Sequence, residues 1–204
     1  MPLTVVNNAE NYPVGLTELK SHIRLGGSSP GSYTVEDSTL ELLIGAATIA
    51  FQERYKVQLI EATLRWDFAE FKRVMELPRP PFMEVVDVKY VDEAGDEQLI
   101  PSEDYTTFRF DRMPGRVAFD KEYEFPALNE MDPYPVKVTY KAGYGKTSDK
   151  VPDDTKLWLK NTIGTYYMQR ESRLISYTGN ISVQEMAKEM AFLLKGTPKG
   201  MRVG

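Results

Sequence analysis

The spacing of the apolar residues changes twice along this chain, and these two changes limit the folds that it can adopt. Over residues 34–55 the apolar residues recur every three or four positions, which is the period of an amphipathic helix. Between residues 57 and 141 the period becomes two, as in the stretch IEATLRWDF at 60–68, which is typical of half-buried strands. From Pro152 onward the helical period returns. The pattern predicts an α+β protein whose helices flank a strand-rich middle.

Four helical segments are predicted outside this middle. A short helix over residues 16–25 ends at a pair of glycines. A longer helix over 34–55 begins with Thr-x-x-Asp, which resembles a capping box. A third helix over 152–171 begins with Pro-Asp-Asp and is apolar on most sides, so more than one neighbour is expected to bury it. A last amphipathic helix is predicted to begin at Ser182.

The middle of the chain reads as a series of short strands joined by tight turns. Glycine and proline occur where the chain must reverse, as in DEAGD at 92–96 and MPG at 113–115. The stretch LPRPP at 77–81 cannot pair normally and marks an edge or a crossover. An antiparallel sheet, folded as a small sandwich or an open barrel, is therefore expected. The predicted strands cover residues 60–68, 73–77, 84–91, 97–100, 105–110, 116–119 and 136–140.

These elements predict a helical bundle, formed by the N- and C-terminal helices, with an antiparallel β module inserted into it. Residues 1–56 are expected to form the N-terminal part of the bundle, and residues 57–150 the β module. Residues 151–195 are expected to form the C-terminal part of the bundle. The sequence KGTPKGMRVG shows no reason to fold, so residues 196–204 are expected to be an extended tail.

Side chains suited to catalysis or metal binding are scarce. The chain has no cysteine and one histidine, His22. Without cysteine there can be no disulfide, thiolate zinc site or cysteine nucleophile. His22 lies on the first predicted helix without a nucleophile motif such as GxSxG beside it, and is interpreted as a surface or capping residue. The sequence therefore predicts a protein that is not an enzyme and has no catalytic residue, metal or cofactor.

One stretch, YKAGYGKTS at 140–148, resembles the end of a phosphate-binding loop. Such a loop has the form GxxxxGK[ST], with a helix that starts at the Lys-Thr. Five positions before Gly145 this chain has Tyr140 rather than glycine, and a polar segment precedes Pro152. A strand end followed by a glycine turn is favoured. A nucleotide-hydrolysing enzyme remains the weakest alternative.

The net charge of −5 is unevenly distributed along the chain. Residues 57–150 carry 19 acidic and 13 basic side chains, whereas residues 151–204 carry 5 and 8. The acidic middle disfavours a duplex-binding surface there, because phosphates require clustered Lys and Arg. The basic end suits an acidic protein partner. With no apolar run of about 18 residues and no secretory start, a soluble protein without a membrane partner is expected.

Taken together, seven stretches resemble the head-tail connector, or adaptor, proteins of long-tailed bacteriophages and of related prophages and gene-transfer particles. They are LTELKSHIRL at 16–25, LELLIGAATIAFQERYKVQLI at 40–60, LPRPPFMEVVDVKYVDEAGDEQLI at 77–100, YTTF at 105–108, GRVAF at 115–119, VKVTYKAGYG at 136–145 and VPDDTKLWLKNTIGTYYMQRE at 151–171. The order of LPRPP, VTYKAGYG and the aromatic helix is the most specific part. After Arg173 no motif of the family is recognised.

The resemblance implies a structural virion protein in the neck, at the junction of capsid and tail. Such proteins form an oligomeric ring, usually dodecameric, that docks under the portal and receives a stopper or tail-completion protein on its other side. The ring keeps a channel open for double-stranded DNA, which passes without sequence-specific contacts. The resemblance thus places this chain in virus assembly and DNA packaging, with assembly in the host cytoplasm. It also implies that TYKAGYG closes the inserted sheet and binds no nucleotide.

Three sets of residues are candidates for contacts in such a particle. Large side chains of the two long helices are candidates for the subunit interface, because their apolar stripes exceed what one small sheet can cover: Phe51, Tyr55, Trp158, Tyr166, Tyr167 and Arg170. Residues of the last helix and basic tail are candidates for the portal contact: Met190, Leu194, Lys195, Lys199 and Arg202. A hairpin tip is a candidate for tail-side or neighbour contacts: Asp92, Glu93 and Asp96.

Two interpretations of the candidate residues stay open. The large aromatic side chains could be ordinary core residues of the helices. The β module could also bind a carbohydrate or receptor on the surface of a phage particle. Sugar-binding modules present aromatic side chains on an exposed platform, whereas Trp66 and Phe68 fall on the alternating face that a core would bury.

Overall fold

The computed structural model describes residues 2–109 and 113–168, and these form an antiparallel α+β fold. Within these residues there are three α-helices and eight strands. In chain order they are β1 (Leu3–Asn7), α1 (Leu16–His22), α2 (Asp37–Tyr55), β2 (Ala62–Phe68), β3 (Val74–Leu77), β4 (Phe82–Val91), β5 (Glu97–Leu99), β6 (Tyr105–Phe108), β7 (Gly115–Phe119), β8 (Val136–Ala142) and α3 (Asp153–Met168).

The described chain divides into two compact units. The sheet unit comprises residues 2–10 and 56–146 and contains all the strands. The helical unit comprises residues 11–55 and 147–168 and contains the three helices. Each unit is therefore assembled from separate stretches of sequence.

The larger of two sheets has five strands in the order β1-β2-β8-β4-β5. Strand β8 lies at its centre and pairs with β2 and with β4, both antiparallel. Residues alternate between buried and half-buried positions along β8, so that one face packs on the core and the other meets solvent. Strands β1 and β5 are the edges.

The smaller sheet has three strands in the order β3-β7-β6. The chain passes from this sheet to the larger one between Leu77 and Phe82, through LPRPP and a cis Pro80–Pro81 peptide bond. The sequence allowed a sandwich or an open barrel, and the described strands form two sheets that do not close into a barrel. Both sheets contribute to one core, from β2, β4 and β8 of the larger sheet and from β3 and β7 of the smaller one.

The core of the sheet unit contains a buried tyrosine hydroxyl that has an internal partner. The side chain of Tyr140 is fully buried, and its hydroxyl donates a hydrogen bond to the carbonyl oxygen of Pro78 at 2.7 Å. Burial raises the pKa of Tyr140, because the charged phenolate is poorly solvated there. The tyrosine thus ties β8 to the segment that joins the two sheets.

In the helical unit, α2 and α3 bury Leu40, Ile44, Leu159 and Ile163. Helix α1 is tied to α3 by two polar contacts. Lys160 Nζ donates to Glu18 Oε1 at 2.9 Å, and His22 Nε2 lies 3.0 Å from Asn161 Oδ1. His22 is exposed, as its interpretation as a surface residue predicted, and it also contacts α3.

An ion pair between a buried lysine and a partly exposed aspartate closes the loop between α1 and α2. Lys20 is 2% exposed, and its Nζ lies 2.5 Å from Asp37 Oδ1. The same ammonium donates to the carbonyl oxygen of Tyr33 at 2.5 Å. A buried ammonium needs such partners, because water no longer solvates it.

Several element boundaries differ from the sequence prediction. Strand β1 was not predicted, since its pairing with β2 joins residues about sixty positions apart and leaves no local signal. Helix α2 begins at Asp37 rather than at Thr34, and the Asp37 carboxylate forms an ion pair with Lys20. Helix α1 begins at Leu16, as predicted, but ends at His22 rather than at residue 25.

Candidate interaction surfaces

The glycines of YKAGYGKTS close the sheet unit. The Gly143 N–H donates to the carbonyl oxygen of Pro81 at 2.9 Å, and the Tyr144 N–H donates to that of Leu59 at 3.0 Å. The Gly145 carbonyl accepts from the Glu61 N–H at 2.8 Å. A phosphate loop needs its consecutive N–H groups to point at the ligand, and here two of them bind the protein itself. This geometry disfavours a nucleotide site.

The aromatic residues predicted for an interface fall into two groups. Phe51 and Trp158 are 4% and 8% exposed, and their ring centroids lie 4.9 Å apart in an edge-on arrangement. Tyr55 packs against both rings, at 4.6 and 6.2 Å. This aromatic cluster joins α2 to α3 inside the helical unit. Phe51 and Trp158 therefore have the core position that the alternative interpretation expected.

Tyr166 and Tyr167 lie in the last turns of α3. Tyr166 is 47% exposed and Tyr167 is half-buried. Tyr166 is thus the aromatic candidate that is available to a neighbouring molecule. The remaining candidates lie outside the described residues: Arg170, Met190, Leu194, Lys195, Lys199 and Arg202.

The hairpin tip between β4 and β5 is organised by one carboxylate. Asp92 accepts hydrogen bonds from the Asp96 N–H at 2.9 Å, the Ala94 N–H at 3.0 Å and Gln98 Nε2 at 2.8 Å. Gly95 adopts a left-handed conformation (φ +92°) that closes the turn. The Asp92 carboxylate thus stabilises the hairpin itself. Glu93 and Asp96 are exposed on the tip.

The hydrogen bonds of Asp92 predict the direction in which its pKa is shifted. Hydrogen bonds from Gln98 and from the Asp96 N–H hold the pKa of Asp92 below its usual range. A lowered carboxyl pKa contributes stability above the pKa of the unfolded chain, and this contribution is lost as the pH falls through the folded pKa. Replacing Gln98 with alanine should raise the pKa of Asp92, as measured by carboxyl NMR titration.

The neighbouring Glu97 supplies the control for this titration. Its pKa is lowered by hydrogen bonds from Lys137 and Lys89, at 3.1 Å each, which the Gln98→Ala change leaves in place. The pKa of Glu97 should therefore stay the same. An unchanged Asp92 pKa in the variant would mean that Gln98 does not bind it in solution.

The solvent face of the five-stranded sheet carries a shallow groove of about 470 Å³. Four basic side chains line it, and each has a carboxylate partner: Lys141 with Glu84, Lys89 and Lys137 with Glu97, and Arg65 with Asp67. Because these charges are compensated, the groove lacks the excess of positive charge that nucleic acid requires. No aromatic side chain lines it either, as a sugar platform would need.

Three further observations concern the aromatic residues of β2, metal-ligating side chains and membrane-crossing helices. Phe68 is buried, and Trp66 is half-buried against the core, as their alternation predicted. No group of three or more metal-ligating side chains lies together in residues 2–109 or 113–168. In the same residues no helix has the length and apolarity to cross a membrane.

One exposed surface was missed by sequence reasoning. Leu42 and Ile49 lie on the side of α2 opposite its buried stripe, and they are 73% and 62% exposed. A second stripe at positions 42, 46 and 49 is visible in the sequence and could have been found. The stripe at Leu40, Ile44 and Phe51 is the stronger of the two and by itself explains the helical period.

Comparisons with solved structures find chains of similar fold. A chain in the virion of a native gene transfer agent particle aligns with a TM-score of 0.73 and 21% identity, over 93% of this chain and 95% of that one. A chain in the neck of an empty gene transfer agent particle, determined with C6 symmetry, aligns at 0.74 and 21%, with the same coverage. A chain in the neck of the native particle, determined with C12 symmetry, aligns at 0.70 and 18%, covering 93% and 94%.

No protein-family model and no curated protein sequence matches the chain. The structural matches extend over nearly the whole of both chains, so they include both the helical and the sheet unit. At about one-fifth identity they show a shared fold. The chain therefore has the fold of proteins that occur in gene transfer agent virions and their necks. Gene-transfer particles are one source of the connector proteins that its sequence resembles.

Proposed function

We propose that this chain is a structural neck protein of a phage-like particle, namely an adaptor that forms a ring under the portal. The fold carries this proposal, because it matches neck chains over nearly their full length. Those necks were determined with C6 and C12 symmetry, which fits a ring of identical copies. In this role the protein joins capsid to tail, lets double-stranded DNA pass without sequence-specific contacts, and performs no enzymatic reaction.

Three contacts complete the proposed role. Helices α2 and α3, as the body of the bundle, contact neighbouring copies. Residues from Met190 to the end of the chain, with Lys195, Lys199 and Arg202, bind acidic groups of the portal. The exposed tip with Glu93 and Asp96 faces a stopper or tail-completion protein.

The test is the mass of the purified chain, alone and after addition of portal rings, by native mass spectrometry. The expected result is a ring, or a monomer that joins the portal in a fixed ratio. A chain that ends at residue 195 should remain folded but no longer dock on the portal. A stable monomer indifferent to portal would contradict the proposal.

Replacing Tyr166 with alanine should weaken ring formation without unfolding the protein. Tyr166 is 47% exposed, so its removal costs little internal packing, whereas exposed tyrosines often contribute strongly to interfaces. Tyr166→Phe keeps the ring and serves as the matched control. The ring population and the melting temperature are both measured. If Tyr166→Ala lowered the melting temperature and left the ring population intact, the residue would be structural.

A carbohydrate- or receptor-binding β module is the second candidate function. Its best location would be the groove on the five-stranded sheet. The groove has no aromatic lining, and its basic side chains are paired with carboxylates. Neither feature favours sugar or receptor binding.

A further inference from the structure

Strand β1 is attached to the sheet unit mainly by its ladder with β2. The two strands are antiparallel, and their register places Thr4 opposite Arg65. Leu3 is half-buried against the core, whereas the other four residues of β1 are exposed. Because β1 is an edge strand, β2 keeps its pairing with β8 whether or not β1 is present. The strand can therefore be exchanged without disturbing the centre of the sheet.

The composition of β1 does not oppose pairing with another chain. Charged side chains and proline are two devices that keep edge strands from pairing with other molecules. The sequence LTVVN of β1 contains neither. It contains instead two β-branched side chains, Val5 and Val6, that are 48% and 50% exposed. A strand of this kind is suited to an assembly in which a second copy covers it.

The connection that follows β1 is long enough to reach another copy. Residues 8–12 join β1, in the sheet unit, to Pro13 and Val14, which are buried residues of the helical unit. Four of the five connecting residues are exposed. The six residue steps from Asn7 to Pro13 span about 20 Å when extended, whereas packed layers lie about 10 Å apart. The connection can thus cross a subunit boundary while Pro13 and Val14 stay in place.

We infer that in the assembled protein β1 of one copy pairs with β2 of the next copy, in the register seen within the single chain. The described ladder shows both the strand and the edge that receives it, so the exchange needs no new kind of contact. The contact joins two different surfaces, and repeated head-to-tail contacts of this kind close a ring. The inference rests on the proposed function and names a subunit contact for its ring.

The lack of cysteine in the chain allows a direct test. Thr4→Cys and Arg65→Cys are made in separate full-length chains, so that no chain can form an internal disulfide. Facing residues of antiparallel strands have Cα atoms about 4.5–5.5 Å apart, which is within the range of a disulfide. The two variants are mixed in denaturant, refolded, assembled and oxidised. A non-reducing gel should then show a dimer, and mass spectrometry should find a disulfide between positions 4 and 65.

A mixture of Met131→Cys with Arg65→Cys is the control for random oxidation. Met131 is 91% exposed, so a thiol at this position is as accessible as any, but it has no register partner on β2. This mixture should give no disulfide between positions 131 and 65.

A shortened chain measures the strength of the contact. Deleting residues 2–7 should raise the protein concentration needed for assembly by about ten-fold or more, because each copy loses the strand that joins it to the next. The shortened chain should still fold, since Leu3 is the residue of β1 that packs against the core. Circular dichroism checks the fold, and native mass spectrometry measures the assembly. If the shortened chain did not fold, the disulfide between positions 4 and 65 would decide alone.

Two outcomes would overturn the inference. The first is a mixture of Thr4→Cys and Arg65→Cys that assembles without a disulfide, while one chain with both changes forms it internally; β1 would then stay in its own chain. The second is normal assembly of the chain without residues 2–7. If the wild-type chain neither assembled nor joined the portal, the proposed function would fail as well, whereas assembly without the disulfide would remove this inference alone.

Discussion

Replacing Gly143 with alanine should lower the free energy of unfolding of the protein by about 4 kcal/mol. Gly143 has φ +131°, a conformation that side chains rarely adopt. An added Cβ would also lie 2.6 Å from the Glu61 nitrogen and from the Ile60 carbonyl carbon. Both neighbours are backbone atoms, so the end of β8 must move away from residues 60–61 to make room for the Cβ.

The loss should be visible in chemical denaturation, as a lower midpoint with little change in slope. Gly27→Ala is the matched control, because Gly27 also has a positive φ, +59°, but nothing lies within 4 Å of its added Cβ. That variant should lose only about 1 kcal/mol, the cost of the left-handed conformation. Equal losses at the two glycines would mean that close backbone packing at Gly143 contributes nothing.

Replacing Asp37 with alanine should lower the free energy of unfolding by about 3 kcal/mol. The change leaves the Lys20 ammonium, which is 2% exposed, with the Tyr33 carbonyl oxygen as its remaining partner described above. A buried charge that loses its counterion is poorly stabilised. Thermal or urea unfolding of the purified variant measures the effect. Because Asp37 itself is 27% exposed, entry of water keeps the loss at the lower end of the usual range.

Two further variants separate the buried charge from other effects. Glu76→Ala breaks the exposed pair with Arg116, at 2.7 Å, and should change stability by no more than about 1 kcal/mol. Lys20→Met combined with Asp37→Ala removes both charges and should recover much of the loss. If Asp37→Ala cost no more than Glu76→Ala, the pair would contribute like an ordinary surface ion pair.

The sequence predicts most of the fold because its two periods are local signals. The alternation in β2 and the stripe of α2 each place their buried residues correctly, as at Leu64 and Ile44. Strand β1 escaped prediction, since its partner lies about sixty residues away. The ion pair between Lys20 and Asp37 is equally nonlocal, so the sequence pattern does not reveal it.

The candidate surfaces were harder to predict than the fold. Periodicity shows that Phe51 and Trp158 are buried, but it cannot show whether the same chain or a neighbour buries them. The structure places them against each other inside the helical unit. For Asp92 the sequence indicates an exposed turn, whereas its three internal hydrogen bonds depend on the closed hairpin.

The central position of β8 has a consequence for folding during synthesis. The five-stranded sheet orders its strands β1-β2-β8-β4-β5, so the strand at its centre is the last of them to leave the ribosome. Until residues 136–142 emerge, β2 and β4 lack their shared partner and present open edges to other chains. Nascent chains stalled before this point are therefore expected to bind chaperones or to aggregate, and those stalled well beyond it to complete the sheet.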